Sequence, residues 1–232
     1  MTPAPIQVAG ERLLLDPAGI VYWPARRLLA VADLHLEKGS HFAAAGRFLP
    51  PYDTRETLAC LRLVLARYRP ARLVLLGDSF HSLDGLRRMA PADAAALHHL
   101  LEGIDTVWVL GNHDPVPQSG LPGRCLGEWR EGPLTFRHEA RRGQVTPAEI
   151  SGHFHPKATM PTRAGGVTRP CFVADPCRVV LPAFGAYTGG LDARDPAVAG
   201  LFPRGARLFL LGRDQLFGMA SAPAAAHRLA PA

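Results

Sequence analysis

The stretch LLAVADLH, residues 28–35, sets a five-residue apolar run directly before Asp33 and His35. LVLLGD (73–78) and VWVLGNHD (107–114) repeat the arrangement, delivering Asp78 and then Asn112-His113-Asp114. An apolar run of this length, bounded by Gly or polar residues, reads as a buried strand. Loops at a common sheet edge would therefore bring together ligand-type side chains that are far apart in the chain. Two further clusters follow: His138, after Leu134–Arg137, and Gly152-His153-Phe154-His155, after the strand-like Ala148–Gly152.

Outward from these runs, Glu11–Leu15 and Ile20–Trp23 flank Asp16-Pro17-Ala18-Gly19, a reversal that predicts an opening β-hairpin. Asp53-Thr54 can cap a helix to about Tyr68, with Leu58, Leu61 and Leu65 on one face and Pro70 as its stop. Pro91–Glu102 repeats the helical spacing, which completes a β-α-β-α-β order. From Glu128 the segments shorten and carry Gly or Pro between them: Cys171–Ala174, Arg178–Leu181, Leu208–Leu211 and Leu216–Ala220 all read as strands. The expectation is an α/β chain with two packed sheets and helices outside. Residues 1–221 are expected to form one domain and 222–232 a frayed tail without periodic signal.

A length of 232 residues with 47% hydrophobic content supports one substantial core. No apolar run approaches the roughly 18 residues of a membrane helix, and Met1–Gly10 lacks a basic start and apolar stretch, so a cytoplasmic protein is expected. Cys60, Cys125, Cys171 and Cys177 contain no C-x-x-C pair and are assigned to packing, with a thiolate metal site at Cys171 and Cys177 as the competing reading. The net charge of +6 is compatible with a polyphosphate partner. With 24 of 26 basic residues being Arg, it also reads as general composition.

Asp33 and His35 point the same way from an extended segment and can grip one ion. Asp78 has two oxygens, as a two-metal centre requires of a bridging carboxylate, and Gly77 leaves room for close backbone approach. Asn112 adds a neutral amide oxygen, with Asp114 placed to orient the His113 imidazole. Lys38 and Lys157, the chain's two lysines, flank the metal motifs as candidate point charges on substrate, or lie there by coincidence. His41 and His81 read equally as substrate contacts or loop caps.

D-x-H, G-D, G-N-H-D, a lone His and G-H-x-H, in this order over residues 33–155, resemble the calcineurin-like metallophosphoesterase superfamily. DLHLEKGSHF (33–42), FLPPYDT (48–54), GDSFHS (77–82) and LPAFGAYTGGL (181–191) resemble its DNA-ligase-associated branch, known as DNA damage response endonucleases or phosphodiesterases. The resemblance implies a four-layer αββα sandwich of two mixed β-sheets flanked by helices. It implies a first metal held by Asp33, His35, Asp78 and His155, and a second by Asp78, Asn112, His138 and His153. Asp78, Asn112, His113 and Asp114 are then the catalytic candidates, and Lys38, His81 and Lys157 candidate substrate contacts.

Two divalent ions, set against Asp33, Asp78 and one hydroxide, leave residual positive charge that suits an anionic phosphoester. The expected reaction is in-line attack on phosphorus by a bridging hydroxide, with His113 assisting the leaving group. Mixed carboxylate, amide and imidazole donors favour Mn²⁺. The resemblance implies a DNA or nucleotide phosphodiester substrate and functional association with an ATP-dependent ligase, a helicase and an exonuclease, while the lack of a long apolar run leads to the expectation of no membrane partner. A small nucleotide or nucleotide-lipid diester is the alternative substrate, and a non-catalytic scaffold the alternative class.

Overall fold

Strand β4 (Leu28–Val31) is buried along its whole length because side chains of both parities meet a core. Leu28 and Ala30 face a second sheet, while Leu29 and Val31 face helices. A strand covered on both sides reads as a continuous apolar run, which is why LLAVA shows no alternation. The computed structural model describes residues 1–117, 120–163 and 165–221. The tail expected at 222–232 lies outside the described residues.

The N-terminal half runs β1 (Ala4–Val8), β2 (Glu11–Asp16), β3 (Ile20–Trp23), β4, α1 (Lys38–Ala44), α2 (Asp53–Tyr68), β5 (Arg72–Leu76), α3 (Gly85–Arg88), α4 (Pro91–Leu101), β6 (Asp105–Val109) and β7 (Arg124–Leu126). These seven strands form one sheet in chain order, antiparallel from β1 to β4 and parallel from β4 to β7. The C-terminal half contributes β8 (Glu128–Glu131), β9 (Leu134–Arg137), β10 (Ala148–Ser151), β11 (Lys157–Thr162), β12 (Gly165–Asp175), β13 (Arg178–Val180), α5 (Pro196–Ala199), β14 (Arg207–Leu211) and β15 (Leu216–Ala220). The second sheet is ordered β15-β14-β12-β13-β10-β9-β8, with β11 paired to β12 and β9, β10 and β13 parallel.

Between the sheets lies a shared core, with Leu13, Trp23, Val74 and Val107 on one side and Phe136, Ile150, Phe172 and Phe209 on the other. The outer face of the first sheet packs on Leu58, Leu61 and Leu65 of α2 and on Leu97 and Leu101 of α4. The outer face of the second sheet is covered by α5 and the residues after it, through Val198, Leu201 and Phe202. The fold is therefore two mixed sheets with flanking helices, as expected, and its fourth layer is a single helical turn plus loop.

Buried Arg178 braces that layer: its Nε donates to Glu149 Oε1 at 2.6 Å and its Nη2 to Arg141 O at 2.7 Å, with Leu201 O as a further partner. Among the described residues, no helix is long and apolar enough to cross a membrane.

Three local expectations need correction. Asp53 and Thr54 do not cap α2, whose N-cap is Tyr52. Their side chains turn instead to the start of α1, where Asp53 accepts from Gly39 N–H (3.0 Å) and Thr54 Oγ1 accepts from Glu37 N–H (2.9 Å). The predicted strand at Cys171–Ala174 is the inner end of the eleven-residue β12, whose outer end is exposed and carries no apolar signal. Finally, only Cys171 is buried; Cys60 and Cys177 are exposed and Cys125 half-buried, and all four thiols are free.

Candidate metal centre

The carboxyl ends of parallel strands β4, β5 and β6 open into three loops on one side of the first sheet, and β9 and β10 do the same on the second. Ligands to open α/β sheets lie at such strand ends. The β4 and β5 loops are zipped together: His35 N–H donates to Asp78 O at 2.8 Å and Leu36 N–H to Ser79 O at 2.9 Å. Backbone bends then aim the side chains inward. Asp33, His35, Asp78, His153 and His155 all have positive φ, between 44° and 72°. That region costs non-glycine residues about 1–3 kcal/mol each, and strain of this kind concentrates where function requires it.

Two sets of donor atoms result. In the first, His155 Nε2 stands 3.3 Å from Asp33 Oδ1 and 3.3 Å from His35 Nε2, and His35 Nε2 is 3.8 Å from Asp78 Oδ2. In the second, His138 Nε2 stands 2.8 Å from Asn112 Oδ1, 3.1 Å from His153 Nδ1 and 3.5 Å from Asp78 Oδ2. Asp78 Oδ2 faces both sets. Neighbouring donors on one octahedral ion with bonds of about 2.1 Å stand roughly 3 Å apart, so the spacing is that of a coordination shell.

Hydrogen bonding tests the fit. His138 Nδ1 donates to Leu76 O at 3.0 Å, which leaves a lone pair on Nε2. That lone pair then faces the oxygens of Asn112 and Asp78 with no proton between them, an arrangement a cation would reconcile. Asp33 Oδ1 is likewise buried without a hydrogen-bond partner. Asp33 Oδ2 and Asp78 Oδ1 are each satisfied by a main-chain donor, His153 N–H and His113 N–H respectively, both at 2.9 Å. The residues present fit two divalent ions.

Electrostatics agree. Burial, reinforced by His155, His81 and His113, lowers His35 to about 2. Burial likewise lowers His153, helped by His138. Burial, then His113 and Lys38, takes His81 to about 4. These are neutral imidazoles crowded with lone pairs inward, the form that ligates metal. Burial raises Asp114 to about 6 against the pull of three main-chain N–H groups, with the Asp78 charge adding to the rise.

Asp114 does not hold the His113 ring. Its carboxylate accepts from the N–H groups of Asp78, Ser79, Phe80 and Gly111 at 2.8–3.1 Å, so it shapes the β5 loop. The His113 ring is held by His81 O, 3.0 Å from Nδ1. His81 sits beside this group, its Nδ1 3.2 Å from His35 Nδ1, and Phe42, which the sequence did not single out, stacks on it at 5.5 Å.

The segment 181–191 joins the two halves of the centre. Gly185 N–H donates to Asp33 O at 3.1 Å and Leu191 N–H to Phe154 O at 3.2 Å. A Cβ on Gly185 would collide with Leu34 O, and one on Gly190 with His155 O, so this loop requires glycine for close approach. Lys38 Nζ donates to Tyr187 O at 2.9 Å. Burial lowers its pKa, with Asp53 opposing and Lys157 adding to the fall, which puts the two ammonium groups within electrostatic reach of each other. His41 is edge-on to His81 at 5.0 Å.

No family model matches the chain, and no curated protein matches it. Among solved structures, the nuclease MPE of Pseudomonas putida is similar at 33% identity, over 93% of this chain and 100% of that one, with a TM-score of 0.72. The phosphoesterase Yfce from E. coli shows 14% identity over 83% of this chain and 98% of that one, TM-score 0.39. A predicted phosphoesterase from Streptococcus pneumoniae shows 14% identity over 84% and 97%, TM-score 0.33. The 33% match covers nearly all of this chain and all of the nuclease, and on that likeness the chain belongs to the calcineurin-like metallophosphoesterase superfamily, a group of metal-dependent phosphoesterases.

Proposed function

We propose that this chain is a cytoplasmic binuclear phosphodiesterase that cleaves DNA in a ligase-associated repair system, with Mn²⁺ as its metal. The observation that carries the reading is Asp78 Oδ2, 3.8 Å from His35 Nε2 and 3.5 Å from His138 Nε2, common to two donor sets. In this reading Asp33, His35, Asp78 and His155 hold one ion, and Asp78, Asn112, His138 and His153 the other. Likeness to a nuclease at 33% identity supports nucleic acid as substrate. The DLHLEKGSHF and LPAFGAYTGGL motifs support the ligase-associated branch. Mixed oxygen and imidazole donors support Mn²⁺.

When bound, the two ions supply Lewis-acid charge on the phosphoryl oxygens and lower the pKa of water. The chain's own residues do the rest. The His113 ring donates from Nδ1 to His81 O, so it is the doubly protonated ring that carries a proton on Nε2 to hand to the leaving oxygen, ending as the neutral imidazole. His113 N–H also fixes Asp78 Oδ1, so ring and bridging carboxylate are registered on one residue. Asp114 is a positioning residue for the β5 loop. Lys38, whose charge is felt at His35 and His81, and Lys157 are the ammonium groups this reading assigns to phosphate.

Metal-reconstituted enzyme should hydrolyse a bis-aryl phosphodiester and nicked or gapped DNA. Turnover of an aryl monoester alone would reverse the assignment.

A further inference from the structure

Resting on the ligand reading just given, we propose that His81 is the positioning residue of the centre: its ring fixes the orientation of His35 and its main-chain carbonyl fixes that of His113. His35 Nε2 faces the first donor set, so the His35 proton sits on Nδ1. That proton is donated to His81 Nδ1, 3.2 Å away, which places the proton of His81 on its own Nε2. The carbonyl of the same residue accepts from His113 Nδ1 at 3.0 Å.

The ring is itself clamped. It stacks on His113 at 4.8 Å and 22° and on Phe42 at 5.5 Å and 28°, and its main-chain N–H donates to Leu36 O at 2.9 Å. One residue thus sets the angle of an imidazole toward the first ion and the angle of the ring that meets the leaving group. Partners of metal-bound imidazoles have this effect generally, and their removal costs about 10- to 100-fold in metal affinity.

Three variants separate the hydrogen bond from the stack. His81→Ala removes both, His81→Phe keeps the stack and removes the acceptor, and His81→Asn returns an acceptor oxygen near the position of Nδ1. The carbonyl grip on His113 is main chain and persists in all three. Titrating Mn²⁺ into metal-free protein, by calorimetry and by the Mn²⁺ spin-resonance signal, should show one of two sites weakened about 10- to 100-fold in His81→Ala and His81→Phe, and near wild-type affinity in His81→Asn.

Thermal melts in chelator report whether each variant folds; should His81→Ala fail, His81→Phe carries the test. Two ions bound by wild type with unchanged affinity in a folded His81→Ala or His81→Phe would overturn this proposal alone. Wild type that takes up fewer than two ions would overturn the function reading and this one together. A third ion in wild type, lost in both His81→Ala and His81→Asn, would make the ring a ligand and overturn the positioning role.

Discussion

Replacing Asp78 by Asn separates a shared ligand from a private one by stability alone. Binding to the folded state contributes about 2.7 kcal/mol per site when free metal is 100 times the dissociation constant. Two sites contribute roughly 5 kcal/mol, and in a domain of this size that is about 10–20 °C in Tm. Because Asp78 Oδ2 faces both donor sets, Asp78→Asn should lose most of that shift, whereas His155→Ala, whose Nε2 belongs to one set, should lose about half. In chelator the order should reverse. Asn keeps the shape and can still accept from His113 N–H, while removing a buried charge that raises Asp114. Metal-free Asp78→Asn should therefore melt no lower than metal-free wild type. Scanning calorimetry with and without Mn²⁺ reads both arms. An Asp78→Asn protein with the wild-type Mn²⁺ shift, or with the same loss as His155→Ala, would refute the shared carboxylate.

His113→Ala should keep both ions by elemental analysis yet lower kcat on a phosphodiester by about 100-fold or more, the usual weight of a positioned acid; loss of both ions would contradict the division of roles. Arg178→Met leaves the buried Glu149 carboxylate with Arg137 alone, its Nε 3.4 Å away, and strips Arg141 O and Leu201 O of their guanidinium donor, so it should cost about 1–3 kcal/mol in urea unfolding. Metal affinity of the folded fraction should not change, and a cost near zero would show that water reaches Glu149.

The centre was legible in sequence because strands buried on both faces leave an uninterrupted apolar signature, and each of these runs ends at its ligands. The same logic explains what was hidden. Strand β11 carries exposed Thr159, Pro161 and Thr162 and has no such run. The role of Asp114 was misread because sequence adjacency to His113 suggested a partner, whereas its carboxylate is taken by four main-chain donors from the β5 and β6 loops. His81 reads in sequence as a substrate contact or a loop cap, since the partners of its carbonyl and its ring nitrogen are distant in the chain. Thr54 at the helix start looked like a cap for the same reason: its hydroxyl was free to choose Glu37 instead.

The bridge made by residues 181–191 has a consequence for biosynthesis. His35 and His155 are 120 residues apart, and the loop that ties their segments together lies later still. Pairing at such separation closes late, after local helices and hairpins have formed. An emerging polypeptide therefore carries half-built donor sets until residues 181–191 have left the ribosome, and in the proposed reading ion loading follows their synthesis.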